Sequence, residues 1–271
     1  MTALKKIILM SLGLTAISQS VYANYWDNDN LLSEKTLSLQ ADTLQAILMD
    51  TGAGDMKIVG DTNTDTIKVS ASIFGQELDE DEYQLSLEKK GDQAVLYAHI
   101  TQEHHNNERI DLKISLPATL KLEVRDRSGD IQIESMQGGV SINDSSGDID
   151  LSNITGGLEI DDTSGDISAN TVVGDITIND RSGDINLITV EGDTIIHDRS
   201  GDIRANTLSG NLDIEDSSGD IRVKTVSGVV TVEDSSGSIY VNGAQDFVLV
   251  ADGSGDVDLD NILSRSERVL K

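Results

Sequence analysis

Residues 144–161 read DSSGDIDLSNITGGLEID, and this 18-residue unit recurs along the second half of the chain. The tetrad Ser-Gly-Asp-Ile, or a close variant of it, marks each copy at an interval of 18 residues. The copies begin at Ser128, Ser146, Ser164, Ser182, Ser200, Ser218, Ser236 and Ser254. A fixed period of about 20 residues is typical of solenoids, in which each repeat is one coil that buries its apolar face only against its neighbours. The sequence therefore predicts a stacked array.

Within one unit, apolar and polar residues alternate twice, over residues 149–151 and again over residues 158–160. Alternation with a period of two places every second side chain on the same face of a strand, so each half of the unit predicts one short strand. A second glycine column lies nine residues after the first, at Gly138, Gly156, Gly174, Gly192, Gly210 and Gly228. We therefore predict an all-β protein, a β-solenoid of about eight coils built as a two-sheet β-roll or β-helix. A triangular coil with three faces is the alternative.

The first 23 residues have the pattern of a secretory signal peptide. Lys5 and Lys6 form a charged start, residues 7–17 a mostly apolar run, and residues 21–23 a small-residue exit. An apolar run of 11 residues is too short to span a bilayer. We therefore expect export with cleavage at this exit, and no membrane span in the mature chain.

The rest of the chain divides into three segments. Residues 24–125 alternate like strands but lack the 18-residue period, and we interpret them as an N-terminal β cap that covers one end of the solenoid. Residues 54–58 within this cap resemble a degenerate coil. The solenoid itself occupies residues 126–262, and residues 263–271 form a polar tail.

The composition limits the classes of partner and chemistry. The chain has 20 Lys and Arg against 48 Asp and Glu, which gives a formal net charge of −28. Nucleic acid and anionic membrane surfaces are poor partners for so acidic a body. With 3% aromatic residues, the core is expected to consist of Ile, Val and Leu. The chain has no cysteine, which excludes disulfides, thiolate metal sites and a cysteine nucleophile.

The turn that joins successive coils has the pattern Asp-x-Ser-Gly-Asp. The first aspartate of such a turn accepts backbone N–H bonds, and the glycine takes a left-handed conformation that returns the chain to the next strand. The first aspartate column comprises Asp126, Asp144, Asp162, Asp180, Asp198, Asp216, Asp234 and Asp252. The structural glycines are Gly129, Gly147, Gly165, Gly183, Gly201, Gly219, Gly237 and Gly255.

A second aspartate follows the glycine of most turns, and turn chemistry does not account for it. This second aspartate column comprises Asp130, Asp148, Asp166, Asp184, Asp202, Asp220 and Asp256. Stacking places like charges about 4.8 Å apart, where each pair repels by roughly 0.9 kcal/mol in water, so the repulsion must be offset. The candidates are backbone N–H donors, the interleaved Arg127, Arg181 and Arg199, and bound cations.

Calcium is the cation that the two columns suit, because it takes about six to eight oxygen ligands from flexible carboxylates and carbonyls. The candidate ligands are Asp126, Asp130, Asp144, Asp148, Asp162, Asp166, Asp180, Asp184, Asp198, Asp202, Asp216 and Asp220. Calcium-binding rolls carry acidic glycine turns at both edges of each coil. Here the second half-turn has threonine beside a glycine, and we predict that it lacks an acid column. Turn chemistry without a cofactor is therefore the main interpretation, and a calcium-stabilised roll is the alternative.

Two other constellations have simpler explanations. His99 with His104 and His105 has the residue types of a transition-metal site, but the polar residues around the pair fit the end of a hairpin. Paired aspartates are the acid and base of many polysaccharide-acting enzymes. Catalysis needs unequal environments and a cleft, which identical coils without insertions do not provide. We assign no catalytic residue and predict that the chain is not an enzyme, with a polysaccharide-acting enzyme as the third alternative.

The segment at residues 110–124, IDLKISLPATLKLEV, leads directly into the serial Ser-Gly-Asp-Ile coils behind an N-terminal signal. In these features the chain resembles the bacterial putative-adhesin family of β-strand-repeat domains of unknown function, over about residues 40–262. The resemblance implies a β-repeat fold and brings no catalytic residues with it.

These observations predict an exported, non-enzymatic β-solenoid that acts as an adhesin-like module or an envelope scaffold. Its expected partner is an unidentified protein or glycan of the cell envelope. The periplasm is the expected compartment, with the cell surface and the extracellular space as alternatives. We expect a monomer or a weak end-to-end dimer.

Overall fold

The computed structural model describes residues 30–75, 78–102 and 107–267. All regular structure within these residues is β, in 22 strands. No helix in this part of the chain is long and apolar enough to cross a bilayer. The predicted signal peptide, the pair His104 and His105, and residues 268–271 of the predicted tail lie outside the described residues.

Seven strands precede the repeats, and fifteen belong to the repeats and the segment that leads into them. The first seven are β1 (Leu31–Gln40), β2 (Ala46–Thr51), β3 (Met56–Asp61), β4 (Thr66–Phe74), β5 (Tyr83–Lys90), β6 (Gln93–Ile100) and β7 (Arg109–Pro117). The others are β8 (Lys121–Arg125), β9 (Ile131–Glu134), β10 (Val140–Asn143), β11 (Ile149–Thr155), β12 (Leu158–Asp161), β13 (Ile167–Val173), β14 (Ile176–Asn179), β15 (Ile185–Glu191), β16 (Thr194–His197), β17 (Ile203–Ser209), β18 (Leu212–Asp216), β19 (Ile221–Val226), β20 (Val229–Asp234), β21 (Ile239–Asp252) and β22 (Val257–Glu267).

Each repeat strand pairs in parallel with the strand one coil further along. Ile149 lies opposite Ile167 and Ile167 opposite Ile185, a shift of 18 residues each time. Leu158 lies opposite Ile176 in the same way. One stack runs through β9, β11, β13, β15, β17 and β19, the other through β8, β10, β12, β14, β16, β18 and β20, and the long β21 joins both. The pairing confirms the predicted β-solenoid, with two strands in each coil rather than three.

The strands of the first stack bend at one residue that has a left-handed backbone. The bend lies just after β9 at Ser135, within later strands at Asn153, Thr171, Thr189, Thr207 and Thr225, and in β22 at Asn261, with φ between 52° and 64°. The pairing skips this position, because Ser152 lies opposite Asn170 and Ile154 opposite Val172. The bend interrupts the alternation and turns Ile154 fully inward. Because β-branched residues rarely adopt this conformation, the sequence pattern did not reveal it.

The core consists of inward-facing columns of aliphatic side chains. Ile149, Leu151, Ile154, Leu158 and Ile160 of one coil are between 0 and 4% exposed. Burying such a side chain fully contributes about 1.5–3 kcal/mol to folding. Since each coil contacts mainly its two neighbours, this stabilisation is obtained only when coils stack.

The two ends of the stack differ. At the N-terminal end, β2 and β3 continue the two stacks, with Met49 opposite Val124 and Ile58 opposite Ile133. The coil predicted at residues 54–58 is therefore confirmed. Beyond it, β6 and β7 add one more parallel layer, and β1, β4 and β5 pair with this region in antiparallel fashion. At the C-terminal end, the only described strand that pairs with β22 is β21.

Candidate functional site

The turns that carry both aspartate columns lie along one edge of the roll, which we call the turn edge. In a central coil, Asp180 Oδ1 accepts the backbone N–H of Arg181 at 2.5 Å and that of Ser182 at 3.1 Å. The same pair of bonds recurs at Asp144, Asp162 and Asp198. These carboxylates therefore satisfy donors within their own turn, as Asx turns do.

The glycine of each turn is required by its backbone and by its neighbour. Gly183 has a φ of 146°, a conformation that side chains disfavour. A Cβ at this position would lie 1.8 Å from the carbonyl oxygen of Gly165 in the preceding coil. The eight structural glycines named from the sequence all have φ between 126° and 155°. Close stacking of the turns therefore depends on the absence of a side chain.

The second aspartate column links neighbouring coils. The backbone N–H of Asp184 donates to Asp166 Oδ1 at 2.8 Å, and Asp184 Oδ1 accepts the N–H of Asp202 at 2.9 Å. The series begins at Asp111, whose Oδ1 accepts the N–H of Asp55, and it ends at the N–H of Ser238. Between them it runs through Asp55, Asp130, Asp148, Asp166, Asp184, Asp202 and Asp220. Backbone N–H donors were one of the three candidates for offsetting the repulsion between stacked aspartates. The structure contains such donors, and each one links a coil to the next.

Two arginines form a charged network on the second column. Arg204 contacts Asp184 at 2.8 Å and Asp202 at 2.6 Å. Arg222 contacts Asp202 at 3.3 Å and Asp220 at 2.7 Å. The hydrogen bond from Arg204 lowers the pKa of Asp184, and the N–H bond from the next coil is the main cause that lowers the pKa of Asp220. These contacts therefore favour the ionised carboxylate at Asp184 and Asp220.

The arginines that the sequence suggested as one of three possible offsets are not the ones that pair with the column. Arg127, Arg181 and Arg199 directly follow a first-column aspartate, and within the described residues none of them forms an ion pair with either column. Arg204 and Arg222 instead lie two residues after a second-column aspartate. Side chains two residues apart in a strand share a face. This spacing was therefore the sequence signal that Arg204 and Arg222 can reach the second column.

The first column has the opposite electrostatic character. Seven of its aspartate residues are only 2–5% exposed. In each of the seven, Oδ2 is buried and has no hydrogen-bond partner among the described residues. Burial is the main cause that raises their pKa, to about 7 at Asp126 and to about 6 at Asp144, Asp180 and Asp216. Burial also raises the pKa of Asp162, Asp198 and Asp234.

An open groove of about 580 Å³ follows the turn edge beside the first column, and we call it the turn-edge groove. One wall carries the residues that precede the column, namely Asn143, Asp161, Asn179, His197, Glu215 and Glu233. The other carries the residues that follow it, namely Ser145, Thr163, Arg181, Arg199, Ser217 and Ser235. Asn179 Nδ2 donates to Asp161 Oδ1 at 2.7 Å, and Asn179 Oδ1 lies 2.9 Å from His197 Nδ1. The groove thus presents polar groups at intervals of one coil.

The opposite edge contains an acid ladder that the sequence analysis missed. The N–H of Asp193 donates to Asp175 Oδ1 at 3.0 Å, and the N–H of Asn211 donates to Asp193 Oδ1 at 2.8 Å. Asn211 Oδ1 in turn accepts the N–H of Val229 at 3.1 Å. The prediction that the second half-turn lacks an acid column is therefore wrong for these coils. Each of the three side chains follows a glycine of the second glycine column, which was the available signal.

Of the predicted histidine constellation, His99 is the member within the described residues. It is buried, its Nε2 lies 2.7 Å from Asp50 Oδ1, and its ring is 4.3 Å from that of Tyr97. In the part of the chain that the structure describes, no group of three or more His, Asp or Glu side chains is arranged to hold a metal ion. The calcium alternative stays a prediction of the sequence.

Comparison with known proteins places this architecture in a family. The sequence model of the Toastrack DUF4097 family matches residues 33–198 and, in a second match, residues 169–268. Among curated proteins, no sequence matches the chain at a significant level.

Three solved structures share the fold at low sequence identity. A putative adhesin from Parabacteroides distasonis aligns with a TM-score of 0.55 and 15% identity, over 84% of this chain and 97% of that one. A putative lipid binding protein from the same species aligns with a TM-score of 0.53 and 16% identity, over 89% and 98% of the two chains. A putative adhesin from Parabacteroides merdae aligns with a TM-score of 0.51 and 15% identity, over 87% and 96%. Likeness at this identity shows a common fold.

The two family matches together cover the strands before the repeats and nearly all of the coils. They confirm the resemblance to a family of β-strand repeats that was predicted from the Ser-Gly-Asp-Ile series. The chain belongs to the Toastrack DUF4097 family.

Proposed function

We propose that this chain is an exported, non-enzymatic β-solenoid that acts as an adhesin-like binding module of the cell envelope. The proteins that share its fold are described as putative adhesins and a putative lipid binding protein, which supports a binding role over a catalytic one. The N-terminal sequence pattern supports export.

The observation that carries the proposal is the turn-edge groove. Its walls repeat hydrogen-bonding side chains once per coil between residues 143 and 235. A partner that lies along the stack meets an equivalent contact about every 4.8 Å. This spacing favours an extended polar chain, either a glycan or a peptide strand of an envelope protein.

Two side chains in the groove favour a polar partner in particular. The guanidinium groups of Arg181 and Arg199 line one wall without an ion pair among the described residues. They stack on successive coils and present donors suited to bidentate contacts with oxygen-rich groups. Arg204 and Arg222, by contrast, form ion pairs with the second aspartate column.

Position-specific photo-crosslinking in the native host tests the proposal. A crosslinking residue replaces Ser217, which is exposed and lines the groove, or Ser209, which is exposed at the opposite edge. We expect Ser217 to capture an envelope glycan or protein that Ser209 does not. Replacing both Arg181 and Arg199 by Ser should reduce the capture at Ser217 severalfold. Equal capture at the two positions, or none at Ser217, would remove the groove as the binding surface.

A further inference from the structure

The basic side chains of the turn-edge groove are concentrated at its middle. Arg181 and Arg199 lie on one wall in successive coils, and His197 lies on the opposite wall, in the same coil as Arg199. We call these three residues the basic centre. The coil before it carries Asp161 on the wall, and the coil after it carries Glu215. The groove therefore has cationic side chains over two coils and acidic ones on both sides of them.

A second pair of stacked arginines shows what the basic centre lacks. Arg204 and Arg222 lie one coil apart, and Asp202 contacts both, at 2.6 Å and 3.3 Å. Arg181 and Arg199 also lie one coil apart, about 4.8 Å, but neither forms an ion pair within the described residues. Like charges at this distance repel each other. An oxyanion from a ligand could therefore take the place that Asp202 has in the other pair.

The carboxyl groups in the floor of the groove do not take this place. Asp180 and Asp198, which precede the two arginines, are only 4% and 3% exposed. Their Oδ1 atoms accept backbone N–H groups of their own turns. A ligand in the groove therefore meets the side chains of the walls.

The wall opposite the arginines is held in place by contacts from coil to coil. Asn179 Nδ2 donates to Asp161 Oδ1 at 2.7 Å, which directs Asn179 Oδ1 toward His197 Nδ1 at 2.9 Å. His197 Nε2 lies 3.6 Å from Glu215 Oε2. These four side chains form a ladder over four coils. Because they are ordered before a ligand arrives, binding costs less side-chain entropy.

The chemistry of the groove favours a glycan over a peptide strand. All of the residues that line it are polar. Backbone N–H groups beside it are used between coils, as in the bonds from Asp180 to His197 and from Asp198 to Glu215. Within the described residues, a peptide strand thus finds neither a free strand edge nor an apolar pocket in the groove, which are the contacts of strand addition. The hydroxyl groups of a glycan can pair with the amide, hydroxyl and carboxylate groups of the walls.

We propose that the basic centre is the subsite for one oxyanion, a carboxylate or a phosphate, of a glycan that lies in the turn-edge groove. This inference rests on the proposed function of the groove. The guanidinium groups of Arg181 and Arg199 hold the oxyanion from one wall through charge-assisted hydrogen bonds. Asp161 and Glu215 repel further oxyanions on either side. The groove therefore selects a glycan with widely spaced acidic groups over a uniformly acidic polymer.

NMR titration of the mature chain with three small probes tests the subsite. The probes are methyl β-glucuronide, glucose 6-phosphate and the neutral methyl β-glucoside. We expect the acidic probes to shift the backbone amide signals of Arg181 and Arg199, and at least one of them to bind about tenfold more tightly than the neutral probe. Tighter binding of the glucuronide would identify a carboxylate as the group recognised, and tighter binding of the phosphate ester a phosphate.

Two matched variants locate the binding. Arg199→Ser should lower the affinity for the preferred acidic probe severalfold. Arg127→Ser removes the same charge from the equivalent position of a turn outside the groove and should leave the affinity unchanged. Circular dichroism checks that both variants are folded. An acidic preference that Arg199→Ser retains would overturn the inference, because the oxyanion would then bind elsewhere on the chain.

Crosslinking at Ser217 separates this inference from the proposed function. If Ser217 captures a glycan but the acidic probes bind no more tightly than the neutral one, the inference fails and the binding role of the groove stands. If Ser217 captures a protein, the choice of a glycan is overturned. If Ser217 captures nothing, the groove is not the binding surface and both fail.

Discussion

The two aspartate columns occupy the same turns, four residues apart, and yet they differ in burial, partners and charge. Asp180 lies inside the turn, keeps one oxygen buried without a hydrogen-bond partner in the described part of the chain, and has a raised pKa. Asp184 lies outside the turn, contacts Arg204 and has a lowered pKa. The glycine between them separates the two environments. Identical residues with an identical period can therefore perform opposite electrostatic tasks.

The hydrogen bonds of the columns differ in range as well. The first column accepts N–H groups of its own turn, whereas the second accepts the N–H of the next coil. The first column therefore shapes each coil, and the second holds one coil to the next. Three comparisons of variants test this division, beginning with the glycine that separates the columns.

The largest effect is expected for Gly183→Ala, which adds a methyl group to the glycine that lies between the two columns. Its Cβ would lie 1.8 Å from a backbone oxygen, at a φ of 146°. We expect a loss of about 4 kcal/mol or more in the free energy of unfolding, measured by urea denaturation. Gly91→Ala is the control, because Gly91 has a φ of 70° and no atom within 4 Å of its Cβ position, and it should cost about 1–2 kcal/mol. Equal losses in the two variants would show that coil contact is not what demands glycine.

A loss of stability of intermediate size is expected when one aspartate of each column is replaced by alanine in the same turn. Asp180→Ala leaves the N–H groups of Arg181 and Ser182 without their acceptor, and should cost about 2–3 kcal/mol at pH 5. Asp184→Ala removes the acceptor of the Asp202 N–H, which water can then replace. It should therefore lower the free energy of unfolding by about 1 kcal/mol. Urea denaturation of both variants at pH 5 measures the difference. A greater loss for Asp184→Ala would reverse the assignment of local and coil-to-coil roles.

The smallest effect is expected for the charged network. Arg204→Gln breaks the ion pairs with Asp184 and Asp202, which are partly exposed, and should cost about 0.5–1 kcal/mol at low salt. The loss should shrink in about 1 M salt, where the screening length is only about 3 Å. Arg199→Gln is the matched control and should leave stability unchanged at either salt concentration. A loss that salt does not reduce would indicate packing of the Arg204 side chain rather than ion pairing.

Much of the fold could be predicted because its determinants are local and periodic. The alternation around Ile149 and Ile160 predicted two strands in each coil, and the structure has both. The glycine column predicted positive φ in the turns, as found at Gly183. The bend at Thr171 was not predicted, because a threonine with a left-handed backbone goes against the local preference and is adopted only where the stack requires it.

The candidate site could be predicted only in part. The aspartate columns and their spacing were visible in the sequence. The arginines that pair with the second column are Arg204 and Arg222, whereas the sequence suggested Arg127, Arg181 and Arg199 as one of three possible offsets. The ladder through Asp175 and the groove along the turn edge were not predicted from the sequence. Each of these features depends on which way a side chain or an N–H group points toward the neighbouring coil. That direction is set by contacts between residues 18 or more positions apart.

The sequence by itself determined the 18-residue period, the inward aliphatic columns and the need for glycine in each turn, because these follow from alternation and from backbone sterics within one repeat. Only the tertiary structure decided that Asp180 is buried and has a raised pKa, while Asp184 in the same turn is half-buried and has a lowered pKa. The reason is that burial and charge depend on the neighbouring coils, whose backbone closes over Asp180 and whose N–H groups and arginines reach Asp184.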